Sequence, residues 1–199
     1  MKKGYTHITF LLDRTGSMSV VKDDTIKGFN KFLKEQKELE GKATMLLAQF
    51  DSIDPFEVVE DFSDIKKVKL LNDSSFKPRD YTPLLDSIAR GINHTEAKIN
   101  EMRKKDRPEV VIVTILTDGQ ENASTEFKRE DVKELIERKN KDGWKFIFLS
   151  AELESIKDAG YFGIPKCNTV SYSNDSKGVS NTYSAVNCMV TRYRTGVDN

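Results

Sequence analysis

Short apolar runs alternate with longer amphipathic stretches along the 199-residue chain. Ile8-Thr9-Phe10-Leu11-Leu12 reads as a buried strand. From Thr25 to Leu39 the apolar positions Ile26, Phe29, Phe32, Leu33 and Leu39 recur at the spacing of one helix face, and Gly41 follows as a stop. Thr44 to Phe50 is a second strand and Phe56 to Phe62 a third, with Asp54-Pro55 between them as the turn of a hairpin. Residues 63–81 carry no clear period, although Val68, Leu70 and Leu71 suggest a short extra element. Leu85, Ile88, Ile92, Ile99 and Met102 mark a helix from about Pro83 to Lys104. The β-branched run Val110 to Leu116 has the composition of a central strand. A helix around Val132, Leu135 and Ile136, a strand from Trp144 to Leu149 and a short helix from Ile156 to Gly160 come next. Asn168 to Tyr172 reads as an edge strand, and Val179, Tyr183, Val186, Val190 and Tyr193 as the buried stripe of a last helix before a frayed tail from Arg194.

Strands that alternate with helices predict an α/β three-layer sandwich, a mostly parallel central sheet flanked by helices. With no repeat or low-complexity linker in view, the expectation is one domain over residues 1–199 with a core from about 6 to 193. Lys+Arg and Asp+Glu stand at 32 each, so composition favours neither a nucleic acid nor a membrane surface as partner. Cys167 and Cys188 lie in no Cys/His cluster of zinc-site spacing and form no disulfide framework. The apolar run at Ile8 to Leu12 is shorter than the core of a signal peptide, and no stretch approaches the ~20 apolar residues of a membrane span. These features set a cytoplasmic protein as the expectation.

Chemistry concentrates just after the strands, where open parallel sheets place their ligands. The first strand runs into Asp13-Arg14-Thr15-Gly16-Ser17-Met18-Ser19, and the central apolar strand into Thr117-Asp118-Gly119-Gln120. The second long helix is preceded by Asp80-Tyr81-Thr82-Pro83-Leu84. Carboxylates at Asp13 and Asp118 and hydroxyls at Thr15, Ser17 and Thr82 are hard oxygen donors. A divalent cation between the two carboxylates removes their repulsion, and an oxygen set of this kind suits Mg²⁺ or Mn²⁺ rather than zinc. Each residue taken alone also has a plain structural reading. Ser17 or Ser19 suits the N-cap of the first helix, and Thr82 that of the second with Pro83 at its first position. Asp13 suits a turn after a strand, and Asp118-Gly119 is a common turn pair. Three oxygen-bearing segments at one sheet edge, in this chain order, form a rarer pattern.

That pattern resembles the von Willebrand factor type A family and its metal-ion-dependent adhesion site. Asp13-Arg14-Thr15-Gly16-Ser17 matches the family's Asp-x-Ser-x-Ser motif with Thr in place of the middle Ser. Thr82 matches its isolated Thr, and Asp118-Gly119 its Asp-Gly after a strand. The resemblance runs from Thr6 to about Tyr193 and is nearest to compact stand-alone bacterial and viral members. It implies one Mg²⁺ or Mn²⁺ ion held by Asp13, Thr15, Ser17, Thr82 and Asp118, with an Asp or Glu of a protein partner completing the shell. It also implies a last helix that shifts when ligand binds. Position alone makes Arg14, Met18, Ser19, Tyr81, Gln120 and Glu121 the candidate partner contacts.

The expected function is therefore a cation-dependent protein-binding module and not an enzyme. One alternative is a Mg²⁺-dependent phosphatase of the haloacid dehalogenase type that uses Asp13. Such an enzyme wants a second acid two residues on, where this chain has Thr15. A complex-assembly subunit whose metal site is purely structural is the other. His7 and His94 belong to no triad-like motif and are expected to be structural or surface residues.

Overall fold

The computed structural model describes residues 1–196. Its elements are β1 (Lys2–Asp13), α1 (Lys22–Glu38), β2 (Lys42–Phe50), β3 (Glu57–Asp64), α2 (Leu84–Glu101), β4 (Pro108–Thr117), α3 (Arg129–Lys141), β5 (Lys145–Ser150), α4 (Leu153–Tyr161), β6 (Thr169–Ser171) and α5 (Ser176–Thr195), with short 3-10 turns between some of them. The sheet order is β3-β2-β1-β4-β5-β6. Only β3 runs antiparallel, paired with β2 as the expected hairpin; the other pairs are parallel.

Alternation along the strands builds three layers. Ile8, Phe10 and Leu12 of β1 face one side, where Phe29, Phe32 and Leu33 of α1 and Tyr183, Val186 and Val190 of α5 cover them. Leu11 faces the other side with Ile88 and Ile92 of α2, Val132 and Ile136 of α3, and Phe146 and Phe148 of β5. Two glycines let these layers close. A Cβ on Gly28 of α1 would overlap the Tyr183 ring of α5, and one on Gly91 of α2 would press into Leu11 at 2.8 Å. Both are places where a helix needs its neighbour closer than a side chain permits.

Four sequence expectations are corrected. β1 begins at Lys2, well before the apolar run, because backbone pairing with the start of β4 extends it. The irregular segment holds a 3-10 turn at Ile65–Lys67, and Val68 and Leu71 are buried while Leu70 faces outward. That segment is stitched to α1: Asn30 both accepts from and donates to the Leu71 backbone, and Lys37 Nζ donates to the Val68 carbonyl. The tail is not frayed at Arg194, since α5 continues to Thr195 and Arg194 donates to the Gln36 carbonyl at the end of α1. Its last three residues lie outside those described. Finally, the helix caps are not where the hydroxyls suggested. Val21 precedes α1 and Pro83 precedes α2, neither with a side-chain cap, so Ser17, Ser19 and Thr82 cap neither helix. Among the described residues no helix is long and apolar enough to cross a membrane. Both cysteines are free and exposed.

Candidate metal site

β1 and β4 are paired neighbours, so their carboxyl ends deliver Asp13 and Asp118 to the same edge. The loop after Asp13 turns back on itself. The Thr15 N–H donates to Asp13 Oδ1 at 2.7 Å, and Thr15 Oγ1 lies 3.2 Å from Ser17 Oγ. Ser17 Oγ then donates to Asp118 Oδ1 at 2.6 Å, which joins the two strand ends through one hydroxyl. Gly119 supplies the space: a Cβ there would sit 3.0 Å from Thr82 Oγ1 and 3.8 Å from Ser17 Oγ. Thr82 is therefore drawn to the same point, and the five predicted residues Asp13, Thr15, Ser17, Thr82 and Asp118 come together from three loops.

Residues outside the motif hold these in place. Thr117 Oγ1 donates to Asp13 Oδ2 at 2.6 Å, and Asn174 Nδ2 to Asp118 Oδ2 at 3.1 Å. Thr117 adjoins Asp118 in the motif, whereas Asn174, in the loop before α5, gave no signal in sequence. Thr82 is fixed by its backbone: its N–H donates to Asn122 Oδ1, and its carbonyl accepts from the Asn122 N–H. Asp86, in the first turn of α2, accepts from the N–H groups of Thr125, Glu126 and Phe127, which clamps the loop after β4 over the helix start. In return the helix start donates to that loop, Leu85 N–H to Glu121 Oε2 and Asp86 N–H to Ser124 Oγ, acceptors that the helix dipole favours.

Burial dominates the electrostatics of the two carboxylates. Asp13 is fully buried, and burial, aided by the nearby Asp118 charge, pushes its carboxyl up to about 7 against the opposing hydrogen bonds from Thr117 and Thr15. Burial also raises Asp118, opposed by Ser17 and Asn174, with Glu152 adding to the rise. Among the described residues neither carboxylate forms an ion pair. Nor do three or more His, Cys, Asp or Glu side chains gather as a metal-binding group among them. The donor set is thus two carboxylates with hydroxyls, which fits a hard divalent cation. Such an ion would supply the positive charge that both carboxylates lack, with Asp13, Thr15, Ser17, Thr82 and Asp118 as the residues to hold it or its water.

The candidate contact residues divide. Met18 is fully buried in the layer between the sheet and α1, so it is not available to a partner. Arg14 is also buried, its guanidinium bonded to Asp51 Oδ2 through Nε at 2.8 Å and Nη2 at 2.6 Å, and paired with Glu57 at 2.6 Å. Glu121 spends its carboxylate on the N–H groups of Ala123, Ser124 and Leu85. Sequence position placed these three at the edge without showing which way they point. Ser19, Tyr81 and Gln120 are exposed there.

No protein-family model matches the sequence, and no curated protein matches it. Solved structures do match. Proximal thread matrix protein 1 from the mussel byssus superposes with a TM-score of 0.62 at 15% identity, over 94% of this chain and 46% of that one. A further structure of that protein has a zinc-occupied MIDAS motif. The manganese-loaded TRAP protein of Plasmodium vivax gives 0.56 at 12% identity, over 94% and 73%. The pilus adhesin SpaC of Lactobacillus rhamnosus GG, in an open conformation, gives 0.63 at 11% identity, over 96% and 30%. The chain thus spans less than half the length of the mussel protein chain. These likenesses establish the fold: a three-layer α/β sandwich of the von Willebrand factor A type.

Proposed function

We propose that this chain is a divalent-cation-dependent protein-binding module, whose metal is held by Asp13, Thr15, Ser17, Thr82 and Asp118 and takes an Asp or Glu carboxylate from a partner protein. The observation that carries this reading is the pair of buried carboxylates at neighbouring strand ends, Asp13 held by Thr15 and Thr117 and Asp118 by Ser17 and Asn174, neither of which forms an ion pair among the described residues. Desolvated carboxylates that lack a counter-charge are costly, and a bound cation removes that cost. The manganese loading of the TRAP structure and the zinc in the mussel MIDAS motif support a bound divalent ion in this fold. Hard oxygen donors favour Mg²⁺ or Mn²⁺ here. One coordination position left to a partner makes the metal a point of attachment, and the surrounding loops then set specificity.

Thermal unfolding of chelated protein during Mg²⁺ or Mn²⁺ titration tests the metal, and a flat melting temperature across the millimolar range would end the reading. A pull-down in Mg²⁺ with wild type against Asp13→Ala then tests the partner, which is expected in the first and lost in the second. The phosphatase alternative gains nothing from the geometry. Thr15, where such an enzyme keeps its second acid, is buried and turned to Ser17, and the similar SpaC structure is that of a pilus adhesin. Turnover of a generic phosphomonoester, abolished by Asp13→Asn, would reverse that judgement.

A further inference from the structure

Three large apolar side chains stand in water at the metal edge of the sheet. Val20 is 80% exposed, Tyr81 67% and Ile53 64%; apart from Met1, no other large hydrophobic among the described residues is as open. They belong to three separate loops. Val20 closes the 3-10 turn that contains Ser17, Tyr81 adjoins Thr82, and Ile53 follows the end of β2.

One buried carboxylate ties these loops together. Asp51 Oδ1 accepts from the N–H groups of Ile53 and Asp54, while Oδ2 accepts from Arg14 beside the metal loop and from Arg79 at 2.8 Å, two residues before Tyr81. Backbone bonds complete the tie: Arg79 N–H to the Arg14 carbonyl, Gly16 N–H to the Asp80 carbonyl, and Tyr81 N–H to Ser52 Oγ. Asp80 adopts a positive φ of 57° to make this turn. The apolar tips are therefore presented by a braced frame rather than left on loose loops. Exposed apolar groups gathered in this way mark a binding surface.

We infer that Val20, Ile53 and Tyr81 form an apolar rim that receives an aliphatic or aromatic side chain lying within two residues of the partner's metal-seeking Asp or Glu. This rests on the proposed metal-dependent binding. The spacing follows from the chain: Tyr81 is one residue from Thr82 and Val20 three from Ser17, so apolar surface begins within about two Cα–Cα steps of the site. Charge narrows the partner further. The exposed Asp80 adjoins Tyr81, and Asp54 adjoins Ile53, while the Arg79 charge is engaged by Asp51. A run of acids would meet these carboxylates, so the fitting segment holds one acid, an apolar neighbour and otherwise neutral or basic residues.

The test is a displayed peptide library with a fixed central Asp or Glu and random flanks, selected on the whole protein in Mn²⁺. Wild type is expected to enrich apolar residues within two positions of the acid and to deplete further acids. Tyr81→Ser and Val20→Ser are each expected to weaken a selected peptide about tenfold, with the Mn²⁺-induced rise in melting temperature unchanged. Rim contacts play no part in that rise, so it separates the two readings. If Mn²⁺ fails to stabilise the protein, the metal-site proposal falls and the rim with it. If Mn²⁺ stabilises and acidic peptides are retained with no preference in their flanks, the rim alone falls; if no acidic peptide is retained, the carboxylate-binding reading falls and the rim with it. Mn²⁺-dependent self-association in sedimentation, lost in Tyr81→Ser, with no peptide enrichment would assign the rim to a second copy and overturn the inference.

Discussion

Two buried polar clusters lie along the same face of β1, and they differ in what the chain provides for them. At the first, His7 is fully buried, its Nδ1 2.9 Å from Thr44 Oγ1 and its Nε2 3.2 Å from Thr9 Oγ1. Thr9 continues to Thr95 at 2.7 Å, Tyr5 joins Thr44 at 2.9 Å, and the imidazole stacks on Phe62 with centroids 3.7 Å apart. Every ring nitrogen has a neutral partner, and burial drives the His7 pKa down to about 3, so the ring stays uncharged. At the second cluster, Asp13 and Asp118 receive hydrogen bonds from hydroxyls, an amide and a backbone N–H, yet form no ion pair among the described residues. Burial of polar atoms is common to both and marks neither as functional. A cluster points outward to a ligand when the fold leaves its charge without a counterpart.

The largest expected effect tests the closed cluster. His7→Ala removes a stacked ring and leaves Thr44 and Thr9 short of a partner, so a loss of about 2–4 kcal/mol is expected in denaturant unfolding, equal with and without Mg²⁺. A loss that Mg²⁺ repairs would show that the two clusters are not separate. Next comes the open cluster. Saturating Mg²⁺ or Mn²⁺ is expected to add about 3 kcal/mol at a hundred times Kd, and Asp13→Ala to abolish that gain while the chain still unfolds cooperatively.

The two clusters should respond to pH with opposite sign in metal-free protein. His7 has a depressed folded pKa, so its contribution is present above about 6.5 and is lost as pH falls toward about 3. Asp13 has a raised folded pKa, so the folded state binds the extra proton and stability falls as pH rises from about 4 to about 7. Each slope approaches about 1.4 kcal/mol per pH unit at most. Melting curves in chelator across pH 4–8 check this. Asp13→Asn should remove the decline on the alkaline side and His7→Phe the decline on the acid side. Smaller still, Asn174→Ala should weaken Mn²⁺ binding about tenfold through a less well oriented Asp118, as losing a supporting hydrogen bond to a ligand usually does. Thr15→Ser, which keeps the oxygen and removes a buried methyl, should cost about 1 kcal/mol of stability and leave the Mn²⁺-induced gain in place, read in the same titration.

The fold was largely legible because its strands are unusually apolar and its helices carry regular stripes. Where reading failed, long-range partners had decided the outcome. The start of β1 looks polar but is recruited by pairing with β4. Arg194 looks like a loose end but reaches the last turn of α1. At the site, the five oxygen-bearing residues were visible because chemistry limits which side chains can serve a hard cation. Their supports were not visible: Asn174 is 56 positions from the Asp118 it orients, and Asp51 is 37 from Arg14. Arg14 and Met18 were misplaced for the complementary reason. A loop's sequence does not say which side chains turn inward, and here Asp51 draws one in and the α1–α5 layer the other.

The sequence alone determined the kind of architecture and which oxygen donors stand at the strand ends. Both depend on local rules: periodicity selects strand or helix, and oxygen donors at strand ends define what can bind. Tertiary structure decided the rest, because position and charge state are collective. Only the packed sheet brings Thr82 against Gly119, and only burial raises Asp13. The Asp51 bracket links the loops that carry Ile53 and Tyr81 to the metal loop, and a residue's exposure is set by what the remainder of the chain places over it.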